Sequence, residues 1–145
     1  MMNGSQNKLN VLILCTGNSA RSIIAEGLLN HLGGNRLNAY SAGSNPAGEP
    51  NPYALKVLQN NGIDATFAKS KSWNYFANDN SIAMDLIITV CANAAGEVCP
   101  VWPGKPLIRR PNDPKPDGNF RKASKRVTPP ILLRIEDTID EHLSN

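Results

Sequence analysis

Leu12-Ile13-Leu14-Cys15-Thr16-Gly17-Asn18-Ser19-Ala20-Arg21-Ser22 joins an apolar stretch to a helical one through a short polar loop that opens on a cysteine and closes on Arg-Ser. Residues 9–14 read as a buried strand, because large aliphatic side chains crowd the segment. A helix is expected after Arg21, with Ile24, Leu28 and Leu32 at helical spacing, Ala25 and Leu29 widening the stripe, and Gly33-Gly34 ending it. A loop between a strand and a helix N-terminus turns backbone N–H groups toward an anion. Thr16, Gly17, Asn18, Ser19 and Ala20 supply those donors, and Gly17 also permits close approach. Arg21 adds a guanidinium that grips two oxygens at once. The same positive field favours the thiolate of Cys15, which is the reactive form, and Ser22 brings a hydroxyl that hydrogen-bonds to it. The stretch is a cradle for a tetrahedral oxyanion set against a thiolate. The plainer reading is a buried Cys15 that closes a strand, with Arg21 solvated on the first helical turn.

Working outward, residues 37–41 read as a second strand closed by Gly43, and Ser44 to Pro52 as a turn-rich loop with three prolines. A second helix is expected from Pro52 to Asn61 with Gly62 as its stop. Ser72 to Ala77 suggests a short helix with Ser72 as N-cap. Met84 to Val90 is a near-continuous apolar run, the pattern of a parallel strand covered on both faces. Residues 103–118 are rich in Pro and Gly and read as loop. Helical patterning returns from Phe120. Pro129-Pro130 should interrupt it, so the last continuous helix is expected near Pro130 with Ile131, Ile135 and Ile139 on one face. Strands separated by helices imply right-handed crossovers and a doubly wound α/β parallel sheet with flanking helices. Ligands of such sheets bind beyond the strand C-termini, where Cys15 and Cys91 both fall.

At 145 residues the chain is expected to form a single domain over residues 1–145, with residues 1–7 flexible. Its apolar runs are too short for a membrane span, and its N-terminus lacks the apolar core of a signal peptide. A cytoplasmic protein is the expectation. Three cysteines far apart make a poor disulfide framework, so Cys15, Cys91 and Cys99 read as reactive or simply buried thiols. The two histidines, His31 and His142, have no metal-ligand spacing with the cysteines and read as helix-surface residues, so no metal site is expected from them. The net charge of +3 is uneven, with nine Lys/Arg against two acidic residues over 101–135. That stretch lacks interleaved aromatics and a recognised motif. It reads as a solvated basic face that draws anions rather than as a nucleic-acid site.

The Cys15–Ser22 loop resembles the active-site loop of the low-molecular-weight tyrosine phosphatase fold and, more closely, that of the bacterial arsenate reductases built on it. Leu37-Asn38-Ala39-Tyr40-Ser41-Ala42-Gly43 resembles the second strand of that superfamily. Met84-Asp85-Leu86-Ile87-Ile88-Thr89-Val90-Cys91, followed by Ala92 to Gly104 with Cys99 inside it, resembles the reductases specifically. The likeness runs over about residues 8 to 106. It implies that Cys15 attacks arsenate, for which phosphate or sulfate are analogues. Cys91 then attacks the adduct, and Cys99 moves the resulting disulfide to Cys91–Cys99 for reduction by thioredoxin, with glutaredoxin and glutathione as the other donor. Small residues between the two cysteines (Ala92, Ala94, Ala95, Gly96) would let the segment unwind so that the sulfurs meet. Asp113, in Asp113-Pro114, resembles the general acid of the superfamily. Lys115 and Pro116 follow it where the tyrosine phosphatases carry ring-holding tyrosines, which argues for a small inorganic oxyanion over an aryl phosphate. Arg109-Arg110 departs from the reductase pattern just upstream.

The resemblance further implies that Asn18 ties the loop to Ser41, and that a potassium ion stands near that asparagine in some of these reductases. No tightly bound cofactor and no membrane partner are expected. Two other functions use the same residues: a phosphatase working through a phosphocysteine, and a non-catalytic module that binds anions or senses redox state.

Overall fold

The computed structural model describes residues 8–17, 20–77, 82–90, 106–110 and 126–143. In chain order its elements are β1 (Leu9–Cys15), α1 (Arg21–Gly33), β2 (Leu37–Gly43), α2 (Pro52–Asn60), a 3-10 turn (Trp73–Phe76), β3 (Leu86–Thr89), β4 (Leu107–Arg109) and α3 (Pro129–Leu143). The four strands form one sheet in the order β2-β1-β3-β4, every neighbouring pair parallel. The chain leaves β1 toward β2 on one side and later returns to build β3 and β4 on the other. The order therefore reverses between β1 and β3, and the crevice at the C-terminal ends of these strands is where such sheets hold ligands.

The strand pleat sorts the core into two layers. Val11 and Ile13 of β1, with Ala39, Leu86, Ile88 and Leu107, face a cluster completed by Ala25 and Leu29 of α1 and by Leu132, Ile135 and Ile139 of α3. Leu12 and Leu14 point the other way, against Trp73 and Phe76 of the 3-10 turn, Met84 and Ile87. A third cluster lies between α1 and α2, built from Ile23, Ile24, Leu28, Ala54, Leu58 and Ile63. Helix α1 is thus covered by the sheet on one side and by α2 on another, and every residue from Ser22 to Leu29 is buried.

Local chemistry sets the element ends. Asn51 accepts the Tyr53 N–H at 2.8 Å, and Pro52 stands at the start of α2, where a missing N–H costs nothing. The chain leaves that helix through Gly62 at φ 73°, a left-handed conformation that glycine adopts without strain. Ser72 caps the 3-10 turn by accepting the Asn74 N–H at 3.2 Å.

Several expectations need correction. Residues 107–109, read as loop, form the edge strand β4, which pairs Leu107 with Leu86 and Arg109 with Ile88. Leu32, placed on the apolar stripe of α1, is 57% exposed, because in that last turn it is Gly33 that lies against Leu37 of β2. The last helix does begin where expected, at Pro129 beside Pro130: the first turn needs no donor from either proline, and Leu132 N–H reaches Thr128 O at 3.0 Å. The buried stripe of α3 is Leu132, Ile135 and Ile139, and Ile131 faces outward. Residues 126–128 are not helical, in keeping with the expected interruption before α3, and the patterning read over residues 120–125 lies outside the described residues.

Two ion pairs fasten α3 and its approach to the sheet. Arg109 bonds Glu136, and Arg126 bonds the Asp85 carboxylate at 3.0 Å as well as the Lys8 carbonyl. Asp85 also accepts the Asn10 N–H at 2.8 Å, which ties the start of β1 to the approach of β3.

Candidate active site

Cys15 is the last residue of β1, half-buried, and its thiol is not in a disulfide. It lies on a central strand, next to Gly43 in the register with β2. On the β3 side the Val90 N–H donates to Leu14 O at 2.8 Å. The residue before Cys91 is therefore bonded to the residue before Cys15. Cys91, Cys99 and Asp113 lie outside the described residues, as do Asn18 and Ser19.

The loop after Cys15 is held from behind. Thr16 O accepts the Asn45 N–H at 2.9 Å, and Gly17 O accepts the Ala47 N–H at 2.8 Å. The Ser70 hydroxyl donates to the same Gly17 carbonyl at 3.0 Å and accepts the Gly48 N–H at 3.1 Å. Gly48 supports this with φ 96°. The carbonyls of 16 and 17 are thus spent on the 44–48 loop and on Ser70. Peptide planes fixed in that way leave the loop's donor side for an anion. At the far end Ala20 occupies the N-cap of α1 at φ −129°, without a side-chain cap and with no acidic residue in the first turn. A helix start of this kind attracts anions. Arg21 opens the helix with an exposed side chain, and Ser22 behind it is fully buried.

Between α1 and the C-terminal end of β2 lies a charged cluster that the sequence reading missed. Glu26 of α1 is 7% exposed, and the Ser41 hydroxyl of β2 donates to its Oε1 at 2.5 Å. Burial pushes the Glu26 carboxyl above its ordinary range, opposed by the Ser41 hydrogen bond and by the Lys71 ammonium. Lys71 is half-buried; burial lowers its pKa, the Glu26 charge works against that, and Lys69 adds to it. Tyr40 is pushed up, first by burial and then by the Glu26 charge. The one sequence signal was that Glu26 stands four residues after the small Ser22, inside a stretch otherwise made of apolar and small residues.

These groups bear on the potassium ion that the resemblance implies. An alkali ion wants a shell of several oxygens. The cluster's side-chain oxygens include the Glu26 carboxylate and the Ser41 hydroxyl, which bond to each other, and the Lys71 ammonium already acts on that carboxylate. Among the described residues no three His, Cys, Asp or Glu stand together to hold a metal ion. The described residues do not fit the ion.

A thiol at the switch point of a parallel sheet, with a braced loop leading into an uncapped helix, is the arrangement of a phosphatase-like thiol enzyme. Residues 10–107 match the low molecular weight phosphotyrosine protein phosphatase family. The chain belongs to that family. It is 36% identical over 129 residues to Arsenate reductase 1 of Staphylococcus epidermidis, covering 89% of this chain and 94% of that protein. The thioredoxin-dependent arsenate reductase Cg_ArsC1' of Corynebacterium glutamicum superposes with a TM-score of 0.61 at 29% identity. That match covers 97% of this chain and 61% of the other, so this chain spans about three fifths of that relative's length. The crystal structure of the arsenate reductase from Archaeoglobus fulgidus matches with a TM-score of 0.56 at 27% identity, covering 93% and 99% of the two chains. Among the described residues no helix is long and apolar enough to cross a membrane.

Proposed function

We propose that this protein is a thiol-dependent arsenate reductase of the reducing cytoplasm, coupled to thioredoxin. The observation that carries the reading is the Val90–Leu14 hydrogen bond, because it brings the chain leading to a second cysteine to the strand end that bears the first. The 36% identity to a staphylococcal arsenate reductase over 129 residues supports it.

In this reading arsenate sits in the 16–20 loop, with Arg21 gripping two of its oxygens and stabilising the charge that develops. The buried Ser22 hydroxyl donates to the Cys15 thiolate and keeps it ionised. Cys15 forms a bond to arsenic, and one arsenate oxygen leaves as water after protonation by Asp113. The Cys91 thiolate then attacks Cys15 sulfur. The sulfur–arsenic bonding pair stays on arsenic, which falls from the +5 to the +3 state and departs as arsenite. Cys99 attacks Cys91 sulfur and expels the Cys15 thiolate, so the nucleophile is restored and the disulfide lies between Cys91 and Cys99. The thioredoxin dithiol takes up that disulfide.

The test is NADPH consumption with arsenate, thioredoxin and thioredoxin reductase, with arsenite quantified, for the wild type and Cys91→Ser. Sustained arsenite formation that vanishes in the variant is expected. Turnover with glutaredoxin and glutathione alone would replace the electron donor. Aryl-phosphate hydrolysis without arsenite formation would overturn the reductase and leave the phosphatase.

A further inference from the structure

The Glu26 cluster bears on how the oxyanion loop is held. Glu26 is fixed to β2 through Ser41, two residues before Gly43, whose N–H donates to the Lys71 carbonyl at 2.8 Å. Ser72 pairs with Gly43 as an isolated parallel bridge, and Ser70 reaches the Gly17 carbonyl at 3.0 Å. The segment 70–72 is therefore clamped both to the end of β2 and to the loop after Cys15. The root of the Lys71 side chain is placed by its own carbonyl on Gly43, by the Ser72 bridge and by the Ser70 hydroxyl. Its ammonium donates to Lys69 O at 3.1 Å. A carboxylate buried at the back of an anion site repels the anion unless a positive charge stands with it.

We propose that Lys71 is the built-in counter-charge of Glu26, a positioning residue that does for the loop what a dissociable alkali ion would do, so that oxyanion binding here is independent of potassium. The electrostatics agree: the Lys71 ammonium favours the Glu26 carboxylate, and the Glu26 charge opposes the loss of the Lys71 proton. A tethered ammonium is present at every salt concentration and loses no translational freedom when the loop orders. An ion drawn from solution would bind according to its concentration. The inference rests on the reading that the Cys15 loop holds a tetrahedral oxyanion, and inorganic phosphate probes both separately.

Phosphate binding is measured by calorimetry on the reduced full-length protein, in potassium chloride and in tetramethylammonium chloride at equal ionic strength, together with the melting temperature. Binding at all tests the loop; its indifference to the cation tests Lys71. The wild type is expected to bind phosphate equally in both salts and to melt at the same temperature. Lys71→Met is expected to bind about tenfold more weakly in tetramethylammonium and to recover on potassium, while Lys71→Arg stays near wild type. Potassium-dependent binding or melting of the wild type would overturn the proposal without help from any variant. So would a Lys71→Met protein that binds like the wild type in both salts.

Discussion

Arg109 on β4 and Glu136 on α3 are joined by two parallel contacts, Nε to Oε2 at 2.6 Å and NH2 to Oε1 at 3.0 Å. The arginine is almost fully enclosed, so its charge has little recourse to water once the partner is gone. Glu136→Gln or Arg109→Met is expected to lower stability by about 2–3 kcal/mol, since removing one partner of a buried ion pair is the costly change. Replacing both by apolar residues is expected to cost less than either single change. Urea midpoints of the four proteins check this, and strictly additive losses would contradict it.

Ser70 braces the oxyanion loop from outside it. Ser70→Ala removes the hydroxyl that donates to Gly17 O and accepts from Gly48 N–H, while the Ala47 N–H still holds the Gly17 carbonyl. A loosened rather than lost loop is expected, with phosphate affinity falling about threefold to tenfold and global stability falling by about 1 kcal/mol. Titration of phosphate against both proteins decides, and unchanged affinity would make Ser70 a purely local turn residue.

Glu26 sets a pH dependence whose sign is fixed by burial. Its carboxyl is held above the ordinary 4.5, so the folded state keeps the proton more tightly than the unfolded chain does. That contribution is complete below the ordinary value and is lost as pH rises through the raised one. Relative to Glu26→Gln, the wild type is expected to lose stability across that window and then level off. Denaturation midpoints of both proteins at stepped pH measure the difference, and a pH-independent difference would rule the shift out.

Gly27 marks where α1 and α2 touch. A methyl added there stands 2.6 Å from Leu58 Cδ2 and 3.1 Å from Phe67 Cζ. Alanine favours a helix over glycine by about 1 kcal/mol, and overpacking costs about 1–3 kcal/mol. Leu58 is fully buried with little room to turn, so the clash outweighs the helix gain. Gly27→Ala is expected to melt several degrees lower, and to cost less in a Leu58→Val background. An unchanged melting temperature would mean that α2 moves away freely.

The proposed relay separates one turnover from many. Cys99→Ser is expected to release about one arsenite per protein and then stall, because the Cys15–Cys91 disulfide has no thiol to accept it. Cys15→Ser is expected to release none. Repeated turnover of Cys99→Ser with thioredoxin would remove Cys99 from the path.

What was legible in the chain was what is contiguous in it. The Leu12–Ser22 stretch carries strand, loop and helix start in order, so a linear reading reached β1, α1 and the place of Cys15 together. Pro52 and Ser72 marked element starts by local chemistry alone, while the Asn51 cap showed only in the structure. Leu107–Arg109 escaped because three residues between prolines and glycines give no periodicity, and only pairing with β3 makes them a strand. Ile131, Ile135 and Ile139 repeat every four residues, which suggests one inner face for all three. The helix period is shorter, and α3 presents Leu132, Ile135 and Ile139 instead. Glu26 escaped for a different reason. A lone glutamate on a helix is ordinarily solvated, and the groups that keep this one inside come from β2 and from the segment before the 3-10 turn.

The sheet order has a consequence for how the molecule is made. β1 is synthesised first yet lies between β2 and β3, so one of its edges stays open on the ribosome until residue 89 has emerged. That wait is on the order of ten seconds at ordinary translation rates. During it the nascent chain displays an unpaired Val11–Leu14 edge, an invitation to other half-made chains. Soluble yield should therefore respond to translation speed and growth temperature more steeply than the melting point of the finished protein would suggest.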